Sequence, residues 1–430
     1  MVEKNIFKGN NVYYAHRKDD DKELLEDHLQ LTKSYFDLLC DKKGLIQVFD
    51  KIYQRLFQSD GVRDLYYELM DGVVYYHDAG KINPLFQRER MKNFLVDKDI
   101  DFQNSNHSEI SSWIYMRKFL EKIGDKRDEL EEQDMYMIYF VLLINMGIIQ
   151  GHHGSLKEMS EVIKNFEIKD SDYKNKPYFK ENLLIDYQED DFIEGCQEVL
   201  DYKYDKKKKA GLYIYARLLF GLLTQADILA TMDYMNEIKT RDFGLVDNLA
   251  DIVTNYNNNE ITKIIRQYEK GDYQYPKNSI NELRSDMFLE AESNLKTNKN
   301  IFTLEAPTGA GKTNISINLA LKLLQEDKKL NKVFYAFPFN TLVEQTYNGL
   351  LEIFKEKEEI KKQISIYNSI NSFEDLKNKD EETEEINYQT LYRDYQFLYY
   401  PIAISTNIKL FDCFFGNNKS SYYPLPLLVN

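Results

Sequence analysis

Cysteine is scarce in this sequence, and its start lacks a secretory signal. Only three cysteines occur in 430 residues, at positions 40, 196 and 413, and they are too scattered for a disulfide framework. The first ten residues, MVEKNIFKGN, have no apolar core of the kind that a secretory signal needs. Both absences favour a reducing compartment, so we expect a cytoplasmic protein without disulfides.

Long apolar runs are also lacking. The run 139–149 is interrupted by Asn145 and is far shorter than the roughly 20 residues that cross a bilayer. The other apolar-rich stretch, 212–232, carries Arg217 and Asp227. The sequence therefore predicts no membrane partner. Its hydrophobic content of 43% suffices for buried cores, and its length of 430 residues predicts two or three domains.

Positive charge is in deficit. The formal net charge is −15 and the isoelectric point is near 5.1. These values argue against a protein that coats nucleic acid nonspecifically, because Lys and Arg make the phosphate contacts. A local binding groove stays compatible with them. The basic run 206–209 and the acidic, Asn-rich stretch 371–387 predict solvated segments.

The six histidines are few but ordered, and they fall at His16, His28, His77, His107, His152 and His153. A His-Asp doublet, His77-Asp78, follows directly on an apolar helix predicted over 65–76, and Lys81 comes three residues later. Polar residues are common at helix ends, so the doublet alone indicates little. The other histidines change its weight.

Four of the other histidines lie on predicted helices or directly after one. His28 lies on or beside the buried stripe of an early helix, and His107 lies in the first turn of another. His152 and His153 emerge between glycines from the end of an apolar helix predicted over 136–149, and we expect them to face inward.

Asp227 is the most informative acidic residue after Asp78. It lies within the apolar stretch 212–232, where a carboxylate removed from water is costly unless it is paired or bound to a metal. Arg217 is ten residues away, nearly three turns along the same helix, so it is a poor partner. A salt bridge to another helix is the alternative.

Five imidazoles and two carboxylates, all tied to apolar helices, form a coherent ligand set of the kind that helical bundles use. The set comprises His28, His77, Asp78, His107, His152, His153 and Asp227. Donors of this type, without thiolates, suit Mn, Fe, Co, Ni or Zn better than Ca or Mg. Seven ligands exceed the needs of one tetrahedral ion, so we expect two divalent ions bridged by Asp78. Lys81 would help neutralise charge on a phosphate.

The order H, HD-x-x-K, H, HH, D, formed by His28, His77-Asp78, Lys81, His107, His152-His153 and Asp227, resembles the HD superfamily of metal-dependent phosphohydrolases. With HHG at the double histidine, it is similar to the nuclease domain of the type I CRISPR-associated nuclease-helicase. The resemblance spans about residues 14–232. His16 has no place in this motif, and we predict that it is a surface residue.

This resemblance implies an all-α, HD-type helical bundle over residues 1–240 that cleaves phosphodiester bonds in single-stranded DNA. It implies catalytic roles for Asp78 and Lys81 and two transition-metal ions, Mn, Fe, Co or Ni. It also implies recruitment by a CRISPR RNA-guided surveillance complex that exposes the displaced strand.

A second motif lies far downstream. Residues 305–313 read EAPTGAGKT between a predicted strand, 301–304, and a predicted helix, 315–324. In this context the loop and helix N-terminus cradle phosphates, Lys312 reaches the β and γ phosphates, and Thr313 holds Mg²⁺. The predicted ATP-binding residues are Thr308, Gly309, Ala310, Gly311, Lys312 and Thr313. Ala306 replaces the first glycine of the strict motif. This variant, APTGAGKT, is similar to the phosphate loop of superfamily 2 helicases.

Beyond the phosphate loop, strands predicted over 333–337, 364–367 and 401–406 alternate with helices over 342–354 and 408–415. The pattern predicts a parallel sheet with helices on both faces. We therefore expect an incomplete first RecA-like domain over 281–430, preceded by a connecting region, 241–280, with one short helix. Pro338, Thr341 and Thr406 resemble positions that contact the single-strand backbone in such helicases.

The acidic motif and the second motor domain of such helicases do not occur in these 430 residues. We therefore do not expect this chain alone to unwind DNA or to act as an ATPase, although weak ATP binding is expected. Two alternatives stay open. One is an HD phosphohydrolase acting on nucleotides, and the other is a noncatalytic regulatory or binding fragment. Metal content separates the latter from both enzymes.

Overall fold

A computed structural model describes residues 6–8, 11–94, 102, 104–185, 192–277, 279–296, 298–367 and 385–429. The chain forms two compact units. The first takes Met1–Arg241 together with Cys413–Val429, and the second takes Asp242–Asp412. The predicted domain bounds 1–240, 241–280 and 281–430 stay predictions. The two units are defined by contacts, which group residues 413–429 with the first unit.

The first unit is almost entirely helical. Its described residues begin with two strands, β1 (Tyr14–Lys18) and β2 (Asp21–Leu24). The α-helices that follow are α1 (Leu25–Lys43), α2 (Leu45–Leu56), α3 (Arg63–Tyr76), α4 (Ser108–Asp125), α5 (Glu132–Gly151), α6 (Met159–Asn175), α7 (Pro177–Asn182), α8 (Phe192–Asp201) and α9 (Lys206–Asn236). Gly44 separates α1 from α2 in a left-handed conformation, φ 60°, which suits glycine because it has no Cβ.

Helices α5 and α9 form the centre of this unit. By length and composition both could cross a membrane, but 72% and 78% of their most apolar windows are buried inside the protein. They are apolar on most sides because other helices surround them, as expected for core helices. Burial at Leu142, Ile149, Leu219 and Leu222 is complete.

Residues 413–429 cover one side of α9. Arg217 donates hydrogen bonds to the carbonyls of Cys413 and Gly416, at 2.9 and 2.8 Å. Two short helices follow in this segment. The backbone comes so close that a Cβ on Gly221 would lie 2.4 Å from the Tyr422 carbonyl oxygen. Glycine at position 221 therefore permits the close packing.

The second unit is an α/β domain. Its elements are α10 (Leu249–Asn258), α11 (Glu260–Lys270), α12 (Ile280–Ser293), α13 (Lys312–Glu326), β3 (Val333–Phe337), α14 (Asn340–Ile353), α15 (Glu358–Lys361), β4 (Ile364–Tyr367), α16 (Glu385–Phe397), β5 (Ile402–Thr406) and α17 (Asn407–Phe415), which runs past the boundary into the first unit. The segment 413–429 then adds α18 (Lys419–Tyr422) and α19 (Leu425–Leu428).

The sheet of the second unit is parallel, with strand order β3-β5-β4. The central strand β5 is buried along its whole length. The predicted parallel sheet and the mixed fold class, a helical bundle followed by a partial RecA-like domain, are confirmed. The bounds of the strands predicted over 333–337, 364–367 and 401–406 agree with β3, β4 and β5 to within one residue.

Two local predictions are wrong. Residues 301–304 form no strand in the described part of the chain, and Ile301 is 89% exposed. A short apolar run cannot distinguish a strand from an extended loop, because strand formation needs a paired neighbour. The region 241–280 contains two helices, α10 and α11, rather than one, and Ile252 and Tyr256 of α10 pack in the core of the second unit. Most of the stretch 371–387 lies outside the described residues.

Candidate metal centre

Five helices bring the seven predicted ligands to one place in the first unit. His77 ends α3, with Asp78 next to it, His107 precedes the first residue of α4, and His152 ends α5. His28 and Asp227 come from within α1 and α9, and His153 follows His152. Asp78 belongs to two groups of potential ligands, and within each group the ligand atoms lie within 4.8 Å of one another.

The two oxygens of Asp78 face different groups. The Oδ1 atom lies 3.1 Å from His107 Nε2, 3.3 Å from His152 Nε2 and 3.9 Å from His153 Nε2. We call this group site A. His107 Nε2 and His153 Nε2 are 2.8 Å apart, so these two imidazoles point at the same spot.

The Oδ2 atom faces site B, formed with His28, His77 and Asp227. It lies 3.4 Å from His28 Nε2 and 3.6 Å from His77 Nε2. Asp227 Oδ1 approaches the same two nitrogens, at 3.3 and 3.6 Å. One carboxylate therefore joins two sets of donors, which is the arrangement expected of a bridging ligand in a two-metal site.

The backbone fixes two of these imidazoles. His77 Nδ1 lies 2.8 Å from the Val74 carbonyl oxygen, and His152 Nδ1 lies 2.6 Å from the Ile149 carbonyl oxygen. Each Nδ1–H donates to a carbonyl three residues earlier in its own helix. This bond leaves the Nε2 lone pair aimed into the site, as is usual for metal-binding histidines.

Charge is concentrated at the two carboxylates. Burial alone would raise the pKa of Asp78, but the Lys81 ammonium and the His77 imidazole outweigh burial and hold that pKa well below its usual range. Burial likewise opposes ionisation of Asp227, yet the adjacent His28 and His77 imidazoles outweigh burial and hold its pKa well below the usual range. Both groups are therefore anionic at neutral pH.

The imidazoles differ in charge. Burial, reinforced by the neighbouring His152, lowers the pKa of His153 to about 3, so His153 is neutral. Burial also lowers the pKa of His28, but the carboxylates of Asp227, Asp78 and Glu23 outweigh it and raise that pKa to about 10. In the metal-free protein His28 is thus an imidazolium cation, and a bound metal would displace its Nε2 proton.

The residues fit a metal centre. His28 Nε2, His77 Nε2 and Asp78 Oδ2 are buried and make no hydrogen bond of good geometry within the described part of the chain. A buried polar group without such a bond costs about 1–3 kcal/mol. In site B, these imidazole nitrogens and this carboxylate oxygen converge without such bonds, which suits a divalent transition-metal ion.

Lys81 lies beside the predicted bridge. Its Nζ is 2.7 Å from Asp78 Oδ2, and its side chain is buried. The same Nζ is 3.2 Å from His16 Nε2. The prediction that His16 is a surface residue is therefore wrong, because its side chain is only 22% exposed and touches Lys81 and Glu23.

Sequence reasoning missed Glu23 as well as His16. The two residues face each other across the β1–β2 hairpin, which turns at Asp19 and Asp20. The one available signal was the run of acidic residues 19–21, which is typical of a turn between two short strands. Neither strand is long enough for its alternation to be distinctive.

Gly80 lets the His-Asp turn approach α4. Its N–H donates to Ser111 Oγ at 2.8 Å. A Cβ at this position would lie 2.1 Å from the His107 carbonyl oxygen and 2.6 Å from the Ser111 backbone nitrogen. Since both are backbone atoms, the absence of a side chain at position 80 allows Asp78 and His107 to converge.

The predicted phosphate loop precedes α13 in the second unit. Gly309 and Gly311 both have φ +81°, a conformation that favours glycine. Gly311 caps α13, Lys312 is its first residue, and both Lys312 and Thr313 are exposed. Ala310 is buried. A glycine-rich loop that ends on a helix N-terminus presents backbone N–H groups to an anion.

Two of the three predicted nucleic-acid residues lie at the carboxyl ends of neighbouring strands. Thr406 ends β5, and Pro338 follows Phe337 of β3, whose register partner is Thr406. Thr341 lies in the first turn of α14. Thr406 is 7% exposed, and its Oγ1 accepts a hydrogen bond from the Lys409 N–H at 3.3 Å. DNA contact by these residues stays a prediction.

Fold and site together define an HD-type helical domain joined to a partial RecA-like domain with a phosphate loop. Residues 15–235 match the family described as Cas3, HD domain, and residues 255–415 match the family described as Type III restriction enzyme, res subunit. The first match spans 221 of the 430 residues. The chain belongs to the Cas3 HD-domain family, which confirms the resemblance to type I CRISPR-associated nuclease-helicases.

Solved structures show the same fold. The crystal structure of T. fusca Cas3 is 12% identical, with a TM-score of 0.51, and the alignment covers 97% of this chain and 45% of that one. The ATP complex of T. fusca Cas3 gives the same identity and TM-score, with coverage of 96% and 45%. This chain therefore spans less than half the length of those proteins. None of the curated proteins compared matches the chain.

Proposed function

We propose that this chain is a metal-dependent nuclease that cleaves single-stranded DNA in CRISPR interference, recruited by an RNA-guided surveillance complex. The observation that carries the proposal is the placement of Asp78, whose two oxygens face two separate groups of donors. Family membership and the match of residues 255–415 to a restriction-enzyme subunit favour a nucleic-acid substrate over a free nucleotide.

Two divalent transition-metal ions, Mn, Fe, Co or Ni, would be held by His107, His152 and His153 in site A and by His28, His77 and Asp227 in site B, with Asp78 between them. When bound, such ions activate water and stabilise charge on phosphate oxygens. The chain's own residues then orient the substrate and screen its charge.

The open side of the centre is formed by site A. The His153 side chain is 48% exposed and that of His107 is 13% exposed, whereas His28 and His77 are fully buried. A phosphodiester would approach from the His153 side. The Lys81 ammonium, held against Asp78, would offset the negative charge that develops on phosphate, since it stays close to the shared carboxylate.

The first test combines metal content with cleavage. We expect the chain to bind two Mn²⁺ ions by inductively coupled plasma mass spectrometry and to degrade circular single-stranded DNA without ATP. A chelator should abolish cleavage, and double-stranded DNA serves as the control substrate. A chain that binds two ions, leaves the DNA intact and hydrolyses nucleotides would instead be a nucleotide phosphohydrolase. A chain that binds no ions would be a noncatalytic module.

ATP binding by the second unit is a separate proposal. Lys312 begins α13 and is exposed, so its ammonium is available to the β and γ phosphates. We expect Lys312→Ala to weaken binding of a fluorescent ATP analogue at least about tenfold, because a charge-assisted contact to phosphate is lost. The matched control is Lys329→Ala, at an exposed position beyond the end of α13. Equal affinity of the two variants would contradict the proposal.

A further inference from the structure

The hairpin β1–β2 brings a carboxylate to the back of the candidate metal centre. His16 and Glu23 are register partners in its antiparallel ladder. The Glu23 side chain is 5% exposed, although free glutamate strongly prefers water. A buried carboxylate requires partners, and Glu23 has two imidazole partners.

One partner is His28. Glu23 Oε2 lies 3.4 Å from His28 Nδ1, while His28 Nε2 faces Asp78 and Asp227. The ring is thus held between Glu23 on one side and site B on the other. A carboxylate behind a metal-binding imidazole fixes the ring orientation and raises its basicity.

His28 needs this side-chain acceptor because of its place in α1. His77 and His152 end their helices, and each uses a backbone carbonyl of its own helix to hold Nδ1. His28 is the fourth residue of α1, where the nearby carbonyls accept the N–H groups of the next turn. Glu23 places a carboxylate 3.4 Å from His28 Nδ1, a charge contact in the position where the other two rings have a backbone hydrogen bond.

The second partner is His16, whose Nδ1 lies 2.6 Å from Glu23 Oε2. Donation of the Nδ1 proton to Glu23 leaves Nε2 as an acceptor, and Lys81 Nζ lies 3.2 Å from it. The ammonium therefore has two anchors, His16 and the Asp78 carboxylate 2.7 Å away.

We propose that Glu23 is a positioning residue that orients His28 toward site B directly and Lys81 toward Asp78 through His16. This inference rests on the proposed metal-dependent function. The proposal gives the β1–β2 hairpin a role in metal affinity, although the hairpin is far in sequence from His77-Asp78.

The direct test measures metal affinity in the full chain. We expect Glu23→Gln to weaken the binding of Mn²⁺ to one of two sites by about 10–100-fold in calorimetric titration, the usual effect of losing a partner behind a metal ligand. The EPR spectrum at two equivalents of Mn²⁺ should shift from that of a coupled pair toward that of a single ion. Glu26→Gln, at an exposed position in the first turn of α1, should leave both readouts at their wild-type values.

His16→Gln separates the effect of Glu23 on His28 from its effect on Lys81. It leaves the contact between Glu23 and His28 in place, so Mn²⁺ affinity should stay within about twofold of wild type while kcat for DNA cleavage falls. If Glu23→Gln does not fold, Glu23→Asp, which keeps the charge but shortens the side chain, and His16→Gln carry the test through the same two readouts.

The outcomes are distinct. A wild-type chain that binds no Mn²⁺ refutes the proposed function itself. A wild type with two ions and a Glu23→Gln variant with unchanged affinity overturns the positioning role alone. A wild type with three ions that falls to two in Glu23→Gln also overturns it, because His16, Glu23 and His28 would then form a metal site of their own.

Discussion

Replacement of Asp78 by Asn is expected to abolish DNA cleavage and to remove bound metal from both sites at once. The carboxylate presents Oδ1 to site A and Oδ2 to site B, and among the described residues Asp78 alone belongs to both ligand groups. An amide is neutral and offers one oxygen in place of two, which a bridging role requires. We expect the rate of circular single-stranded DNA degradation with Mn²⁺ to fall by about 1,000-fold or more.

The matched control for this change is Asp37→Asn, at an exposed carboxylate of α1 that pairs with Lys33. It should retain two ions and the wild-type rate, since a surface pair contributes little. Metal content and cleavage are measured on the same preparations. An Asp78→Asn variant that keeps two ions would show that Asp78 does not bridge them.

The largest stability effect is expected from Gly80→Ala. The added Cβ would meet two backbone atoms of the α4 start at 2.1 and 2.6 Å, and no rotamer change can relieve a backbone clash. Overpacking of this kind costs about 3 kcal/mol. The first transition in a thermal melt should therefore shift down by several degrees. Mn²⁺ affinity should fall as well, because displacement of the turn moves Asp78 away from His107.

Gly124→Ala is the matched control, since a Cβ at Gly124 meets nothing within 4 Å. Gly124 lies in α4, where alanine is favoured over glycine by up to about 1 kcal/mol. The control should melt at or above the wild-type temperature. Equal melting temperatures for the two variants would mean that the turn can move away from α4 without cost.

The ligand positions were predictable because the ends of apolar helices can be recognised in the sequence. His77, Asp78 and His152 follow stretches whose 3.6-residue periodicity is visible in the sequence, and a charged residue such as Asp227 inside an apolar helix is conspicuous. These patterns need no knowledge of long-range contacts. They give the residues that a helical bundle would present to its interior, and the structure brings those residues together.

The hairpin contacts were not predictable in the same way. Strands β1 and β2 have five and four residues, and most of their side chains are only partly buried. Which residue of one strand faces which residue of the other depends on register, which such weak alternation does not specify. The approach of His16 to Lys81 likewise depends on how the hairpin packs against the bundle.

The contact between helix α9 and residues 413–429 can form only late in the synthesis of the chain. The carbonyl of Cys413 that receives the Arg217 guanidinium lies 196 residues later in the chain. At about 5–20 residues per second, the ribosome delivers that partner roughly 10–40 seconds after Arg217. The whole second unit is translated in between. During this interval the side of α9 around Gly221 lacks its contacts with residues 413–429. The first unit therefore begins to emerge first but is among the last parts to be completed.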